Sequence, residues 1–174
     1  MSDALVRLHA LLCAQGGLIA TLVAEPGECD QPTPASIAAE GPRAAGMREE
    51  YELLVEAIFE GYLLHYGQPR VLRVPEADLS LLAGDQLYAL GLARLVAIGD
   101  TLAVGELADT ITLSALAHGA GEPQLAAAVW QAGARAVGWG ASDAHRRAKE
   151  LLLQGAPEAF EAMRTSAGLV PAAP

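Results

Sequence analysis

The chain is short of aromatic residues, of charge and of cysteine, and each shortage narrows what it can be. Aromatics make up 5% of its 174 residues while alanine and leucine dominate, a balance that suits close-packed helices better than sheets. Charged residues reach only 18% against 52% hydrophobic, too apolar for a disordered protein and enough for one substantial core. The two cysteines form no framework: Cys13 falls in an apolar helix as a small core residue, and Cys29 in a polar loop. Without a basic N-terminal region leading into an apolar core and cleavage site, the chain reads as cytoplasmic and reduced. No charge-free run reaches the roughly 18–20 residues that span a bilayer. The most apolar stretch, 79–98, is interrupted by Asp85 and Arg94, so no membrane span is expected. The formal charge of −10 argues against non-specific binding to nucleic acid or to an anionic membrane. Arg146-Arg147-Lys149 is a small basic patch, read as a solvated helix face. His9, His65, His118 and His145 include no pair at metal-ligand spacing, and neither a phosphate loop nor a Gly-x-Ser-x-Gly elbow occurs.

What is present is helical periodicity. Apolar residues at Leu5, Leu8, Leu12, Ile19, Leu22 and Val23 predict a helix over 2–24, capped by Ser2 and bent at Gly16-Gly17. Three prolines and a glycine make 25–34 a loop, and Thr33-Pro34 opens a short helix that Gly41-Pro42 ends. Over 47–66, Tyr51, Leu54, Val55, Ile58 and Tyr62 share one face, while Glu49, Glu52, Glu56 and Glu60 line the other. Gly67 closes that helix and Pro69 prevents its return. Residues 70–74 read as extended. Pro75 starts a helix to about Ile98 that is apolar nearly all round, which predicts the central member of the bundle with Leu87 and Leu90 buried. Gly84 and Gly91, seven apart, leave room on one side for a neighbouring helix. Further helices are predicted over 101–118 with Asp100 as cap, over 122–154 with a bend at Gly138 and Gly140, and over 157–166. The expectation is an all-α bundle, with 1–168 as a single helical domain and 169–174 as a frayed tail.

Three segments follow one another in an informative order: Glu56-Ala-Ile-Phe-Glu60, His65-Tyr-Gly-Gln-Pro69 and Leu82-Ala-Gly-Asp-Gln-Leu-Tyr-Ala89. At this spacing the chain resembles the first half of a trans-polyprenyl diphosphate synthase, in which a DDxxD helix is followed by an Arg-Arg-Gly-x-Pro turn and a Leu-Ala-Gly-Asp-x-Leu helix. The resemblance covers about residues 47–100 and implies a helical bundle like the N-terminal part of the isoprenoid synthase fold. The scaffold positions match at Gly67, Pro69, Leu82, Ala83, Gly84, Asp85, Leu87 and Ala89. The reactive positions do not: Glu56, Ala57 and Glu60 stand for the aspartates, and His65-Tyr66 for the two arginines. No second DDxxD occurs anywhere in the chain. In kind it is most similar to the small, non-catalytic component of two-component heptaprenyl diphosphate synthases.

Two readings of the acidic stripe remain open. Glu56 and Glu60, at i and i+4, project from the same side and form a candidate magnesium or ligand face with Glu52 and Asp85. His65, Arg70 and Arg73 are the candidate anion contacts. Alternatively the stripe is the solvent face of an amphipathic helix, with Arg48 and Glu52 as an i,i+4 pair. The second is preferred, because glutamate would move the metal, Ala57 removes one carboxylate, and no arginine pair precedes the turn. Asp85 on its apolar helix is read as a structural carboxylate. Asp109 and Asp143 read as surface residues, and Trp130 and Trp139 as packing residues, although Trp139 between Gly138 and Gly140 could flank a pocket.

The expected function is that of a non-catalytic, polyprenyl-synthase-like subunit or regulator of isoprenoid diphosphate synthesis. It would work as a homodimer or as a heteromer with a full-length prenyl synthase, without catalysis of its own. The alternatives are a stand-alone magnesium-dependent prenyl-diphosphate enzyme using Glu56 and Glu60, and a helical protein that binds an apolar ligand.

Overall fold

The computed structural model describes residues 3–27 and 32–169, and these fold as an all-α bundle. Ser2, Cys29 and the tail beyond Leu169, for which a cap, a loop position and fraying were expected, lie outside the described residues. In chain order the helices are α1 (Asp3–Gln15), α2 (Gly17–Leu22), α3 (Pro34–Glu40), α4 (Arg48–Tyr66) and α5 (Ala77–Ala97). They are followed by α6 (Thr101–Gly119), α7 (Pro123–Trp139), α8 (Asp143–Leu153) and α9 (Ala159–Ser166), and a 3-10 turn at Pro42–Ala44 links α3 to α4. Among the described residues the β pairing is one isolated antiparallel bridge, Val23 with Leu72. Backbone bonds Ala24 N–H to Val71 O (2.9 Å) and Arg73 N–H to Leu22 O (2.9 Å) flank it and hold 70–73 extended, as the sequence predicts.

The helix boundaries follow local chemistry. Thr33 accepts from the Ser36 N–H while Ser36 accepts from the Thr33 N–H, a capping box that Pro34 at the first helical position reinforces. Asp100 caps α6 through the Ala103 N–H at 3.0 Å, and Ser142 caps α8 through the His145 N–H at 3.1 Å. The helix predicted over 2–24 is two helices, parted at Gly16 with φ of 68°. That predicted over 122–154 is also two, parted at Gly140 with φ of 90°. A left-handed residue cannot continue a helix, so the predicted bends are breaks.

The centre is not where hydropathy places it. Helices α4 and α7 bury most of their residues, whereas α5 buries only Ala83, Gly84, Leu87, Gly91 and Leu95. Leu81, Leu82 and Val96 of α5 are exposed, and Leu90 is half-buried. An all-round apolar sequence therefore reports one packed face and one uncovered apolar face. Tyr51, Leu54, Ile58 and Tyr62 of α4 meet Trp130 and Val137 of α7, Leu107 of α6 and Leu95 of α5 in the main core. A second cluster joins Leu5, Leu8 and Leu12 of α1 to Leu53 and Ala57 of α4 and Leu87 of α5. Each fully buried leucine contributes about 1.5–3 kcal/mol. A third cluster ties α7 to α6, α8 and α9 through Leu113, Leu125, Val129, Leu152 and Met163. Cys13 is exposed, contrary to expectation, because it falls on the side of α1 turned away from the second cluster.

Glycines set the closest crossings. A Cβ on Gly84 would lie 2.9 Å from the Gly61 carbonyl oxygen, and one on Gly61 would lie 2.8 Å from that of Gly84, so α4 and α5 touch backbone to backbone. Gly91 is equally tight, facing Ile58 and the Leu54 carbonyl, which is the close approach its spacing with Gly84 predicts.

Candidate functional site

The acidic pair of α4 lies inside the protein. Glu56 and Glu60 are both fully buried, beneath the segment that follows α4 and beside the start of α3. One turn of helix separates them, so they share a side, but that side packs under protein and is not the solvent face expected. The chain turns at Gly67 and Pro69 and lays Arg70 back over them. Arg70 Nη2 bonds Glu56 Oε1, and Arg70 Nε lies 3.2 Å from Glu60 Oε2. Glu60 Oε1 accepts the backbone N–H of Arg70 at 2.5 Å and of Val71 at 2.7 Å. Thr33 donates its hydroxyl to Glu56 Oε2 at 3.0 Å. The Arg70 guanidinium also stacks over Phe59, 5.1 Å from the ring centre.

One cation between two carboxylates leaves surplus negative charge in the interior. Burial pushes the Glu56 carboxyl above the usual carboxylate range, against the pull of Arg70 and the Thr33 hydroxyl, and neighbouring Glu60 adds to the rise. Glu60, with two backbone donors, is the better-satisfied anion. Glu56 therefore holds its proton to higher pH than an ordinary carboxylate does.

Magnesium does not fit here. All four carboxylate oxygens are engaged by protein donors, both side chains are sealed, and a hard cation would have to displace Arg70. Among the described residues no group of three His, Cys, Asp or Glu side chains is placed to hold a metal ion. As placed here, Glu56 and Glu60 are the partners of Arg70.

The other candidates are dispersed. Glu52 is half-buried and bonds Arg7 of α1 at 2.7 Å, not the Arg48 expected, while exposed Glu49 lies 3.4 Å from the same Arg7. Asp85 is exposed, not buried in its helix. Its Oδ1 lies 3.3 Å from His65 Nε2 but without hydrogen-bond alignment. Arg73 donates to the carbonyls of Pro69 and Leu72. The anion that Arg70 contacts is the protein's own.

Sequence reasoning passed over two arrangements. Tyr62 OH and His118 Nε2 are 2.9 Å apart, and Tyr66 stacks on His118 with ring centres 4.3 Å apart, joining the ends of α4 and α6. The second joins α6, α8 and α9. His145 is buried, its Nε2 is 3.1 Å from Glu106 Oε2, and its Nδ1 is 3.3 Å from the Ser166 hydroxyl. Lys149 reaches both Glu106 oxygens at 3.1 Å and Asp109 at 2.7 Å. Burial alone would raise the Glu106 carboxyl, but the bonds and charges of His145 and Lys149 outweigh it and hold it below its ordinary value. Burial would likewise lower the Lys149 amine, yet Asp109 and Glu106 leave it raised. Acids at 106 and 109 facing bases at 145 and 149 are the pattern that could have revealed this junction. Of the basic patch, only Arg146 and Arg147 are solvated.

No family model, curated protein or solved structure matches the chain. By length and composition α5 is the one helix among the described residues that could cross a membrane, and most of it is not buried.

Proposed function

We propose that the chain is a non-catalytic, polyprenyl-synthase-like subunit that acts by association and not by chemistry on its acidic helix. The observation that carries this reading is Arg70. Where a catalytic relative would present carboxylates to metal and diphosphate, this chain closes its two glutamates with an internal guanidinium and two backbone N–H groups. The pair has become a structural brace between α4 and the segment after it. Replacement of the arginine pair by His65 and Tyr66 points the same way, since Tyr66 stacks on His118.

Association has a surface to use. Leu82 is 65% exposed and Val96 56%, and exposed Ala89 and Ala93 lie between them along α5. Such a face favours coverage by a partner. The partner is a second copy of the chain or a full-length prenyl synthase. The test has two parts. Calorimetry with magnesium and an allylic diphosphate should show no binding tighter than about micromolar, worth roughly 8 kcal/mol. Sedimentation of the chain alone and with a catalytic prenyl synthase should show a dimer or a heteromer that Leu82→Lys with Val96→Lys dissolves. Tight magnesium-dependent binding, or monomers throughout, would overturn the reading.

A second reading, an apolar-ligand-binding protein, has one observation behind it. A cavity of about 320 Å³ lies among the ends of α6, α7, α8 and α9, walled by Leu116, Leu125, Leu152 and Phe160. Extraction of the purified chain with organic solvent and mass spectrometry would reveal a retained lipid-like molecule if this reading holds.

A further inference from the structure

A separate cavity of about 230 Å³ opens where α7 ends, beside the start of α8 and the end of α9. Arg135, Trp139, Ser142, His145 and Ser166 line it, with alanines of α7 as the remaining wall. Its charge is unusual for a chain of net charge −10: it has an arginine and no carboxylate in its lining. The nearest acids are committed elsewhere. Glu106 sits behind His145 and is neutralised by Lys149 at both oxygens. Asp143 is fully exposed and paired with Arg146 at 2.6 Å.

The donors are arranged for a ligand. The Arg135 guanidinium lies over the Trp139 ring, 4.9 Å from its centre, and it forms no ion pair among the described residues. Ser142 Oγ accepts the His145 N–H, so its own proton remains for an acceptor in the cavity. His145 Nε2 lies 3.1 Å from Glu106 Oε2, and its Nδ1 lies 3.3 Å from Ser166 Oγ, which donates its own proton to the Met163 carbonyl. Ser166 is thereby held between His145 Nδ1 and the Met163 carbonyl at 3.0 Å, a positioned wall. An arginine fork beside a hydroxyl suits a carboxylate, and an indole with alanines suits a flat apolar body.

We propose that this cavity binds a small organic carboxylate with a planar apolar body, its carboxylate on Arg135 and Ser142 and its body along Trp139. This is independent of the association reading, because none of these residues lies on α5. Titration of the full chain with benzoate, acetate and inorganic phosphate at constant ionic strength, followed by ¹H–¹⁵N NMR, tests it. Benzoate should saturate in the millimolar range, moving the amides of Ser142, His145 and Gly168 and the Arg135 Nε–H, and should bind more tightly than acetate or phosphate. Arg135→Gln, a change on an exposed helix position, should weaken benzoate about tenfold or more, whereas Arg48→Gln should leave it unchanged. Ser142→Gly, which keeps a residue favoured at a helix start, should weaken it less. Shifts that never saturate, phosphate binding as tight as benzoate, or equal affinity in Arg135→Gln would each overturn the proposal.

Discussion

Arg70 binds Glu60 twice, through its side-chain Nε at 3.2 Å and through its own backbone N–H at 2.5 Å, across only ten residues of chain. The carboxylate thus fixes both the side chain and the path of the loop. Among the described residues the hydrogen bonds to Glu56 come from the Arg70 side chain and the Thr33 hydroxyl. The two glutamates are therefore not equivalent, although sequence alone places them symmetrically.

The first prediction follows from that asymmetry. Glu60→Ala removes the acceptor of two backbone N–H groups and strands Arg70, so it should cost about 3–5 kcal/mol or abolish folding. Glu56→Gln imitates the protonated form that burial already favours and should cost under about 1 kcal/mol at neutral pH. The sign in pH follows. A folded value raised above the unfolded one gives stability that is complete at low pH and is lost as pH rises through the raised value. Wild type should therefore lose, on going from acid toward neutral pH, a stabilisation that Glu56→Gln retains. Urea midpoints across that range measure both; equal costs for the two variants would refute the asymmetry.

A pair of glycines gives the second prediction. Gly41 at the end of α3 meets Gly138 of α7, and a Cβ there would land on the Gly138 backbone, which cannot yield. Gly41→Ala should force the helices apart and cost about 3 kcal/mol or more. Gly105, in the middle of α6, has no neighbour within 4 Å of its would-be Cβ. Gly105→Ala should stabilise by about 0.5–1 kcal/mol, through helix propensity alone. Thermal melts of the two variants should shift in opposite directions.

Helix content and most boundaries were legible in the sequence because caps and breakers act locally: Thr33-Pro34, Gly67 and Asp100 mark ends where expected, whereas Gly140, expected only as a bend, ends α7. Burial was legible less evenly. The glutamates of α4 were assigned to solvent by periodicity, since nothing local signals that Arg70 would return over them. The centrality of α5 was overestimated for the opposite reason. Hydropathy records that Leu82, Ala89, Ala93 and Val96 are apolar, but not whether anything covers them. The His145 junction was missed because its partners stand about 40 residues apart in sequence, where only the pairing of two helix faces unites them.

The two faces of α5 separate folding from association, which is the third prediction. Leu87 is fully buried in the cluster that α5 shares with α1 and α4, so Leu87→Asp would bury an unpaired charge and should unfold the chain. Leu82 is exposed five residues earlier, and Leu82→Asp should keep full helicity within about 0.5 kcal/mol of wild type. It should instead lower self-association. Circular dichroism and sedimentation on the same samples distinguish the two effects; loss of helicity in Leu82→Asp would place that face inside the fold.

Acid stability turns on Asp100, which links three elements. It caps α6 at Ala103, bonds the Tyr51 hydroxyl of α4 at 2.5 Å and pairs with Arg43 of the 3-10 turn at 2.7 Å. Burial would raise its carboxyl, but the Tyr51 hydroxyl, the Ala103 N–H and the Arg43 charge prevail, and it titrates below its ordinary value. Tyr51 responds in the reverse sense: its burial, with the bond to Asp100, pushes the phenol up to about 12. A carboxyl lowered on folding contributes stability that is complete above its unfolded value and is lost as pH falls through the lowered one. Asp100→Asn retains a cap but loses the charge, so it should destabilise by about 1–2 kcal/mol at pH 7. The deficit should close as the medium is acidified below the ordinary aspartate range, since wild type is then protonated as well. Tyr51→Phe removes one neutral donor to the same carboxylate and should narrow the gap between wild type and Asp100→Asn in a double-mutant cycle. Denaturation of the four chains at neutral and at acid pH measures the coupling, and a deficit for Asp100→Asn that is unchanged at low pH would show that the charge of Asp100 is not what holds α4, α6 and the turn together.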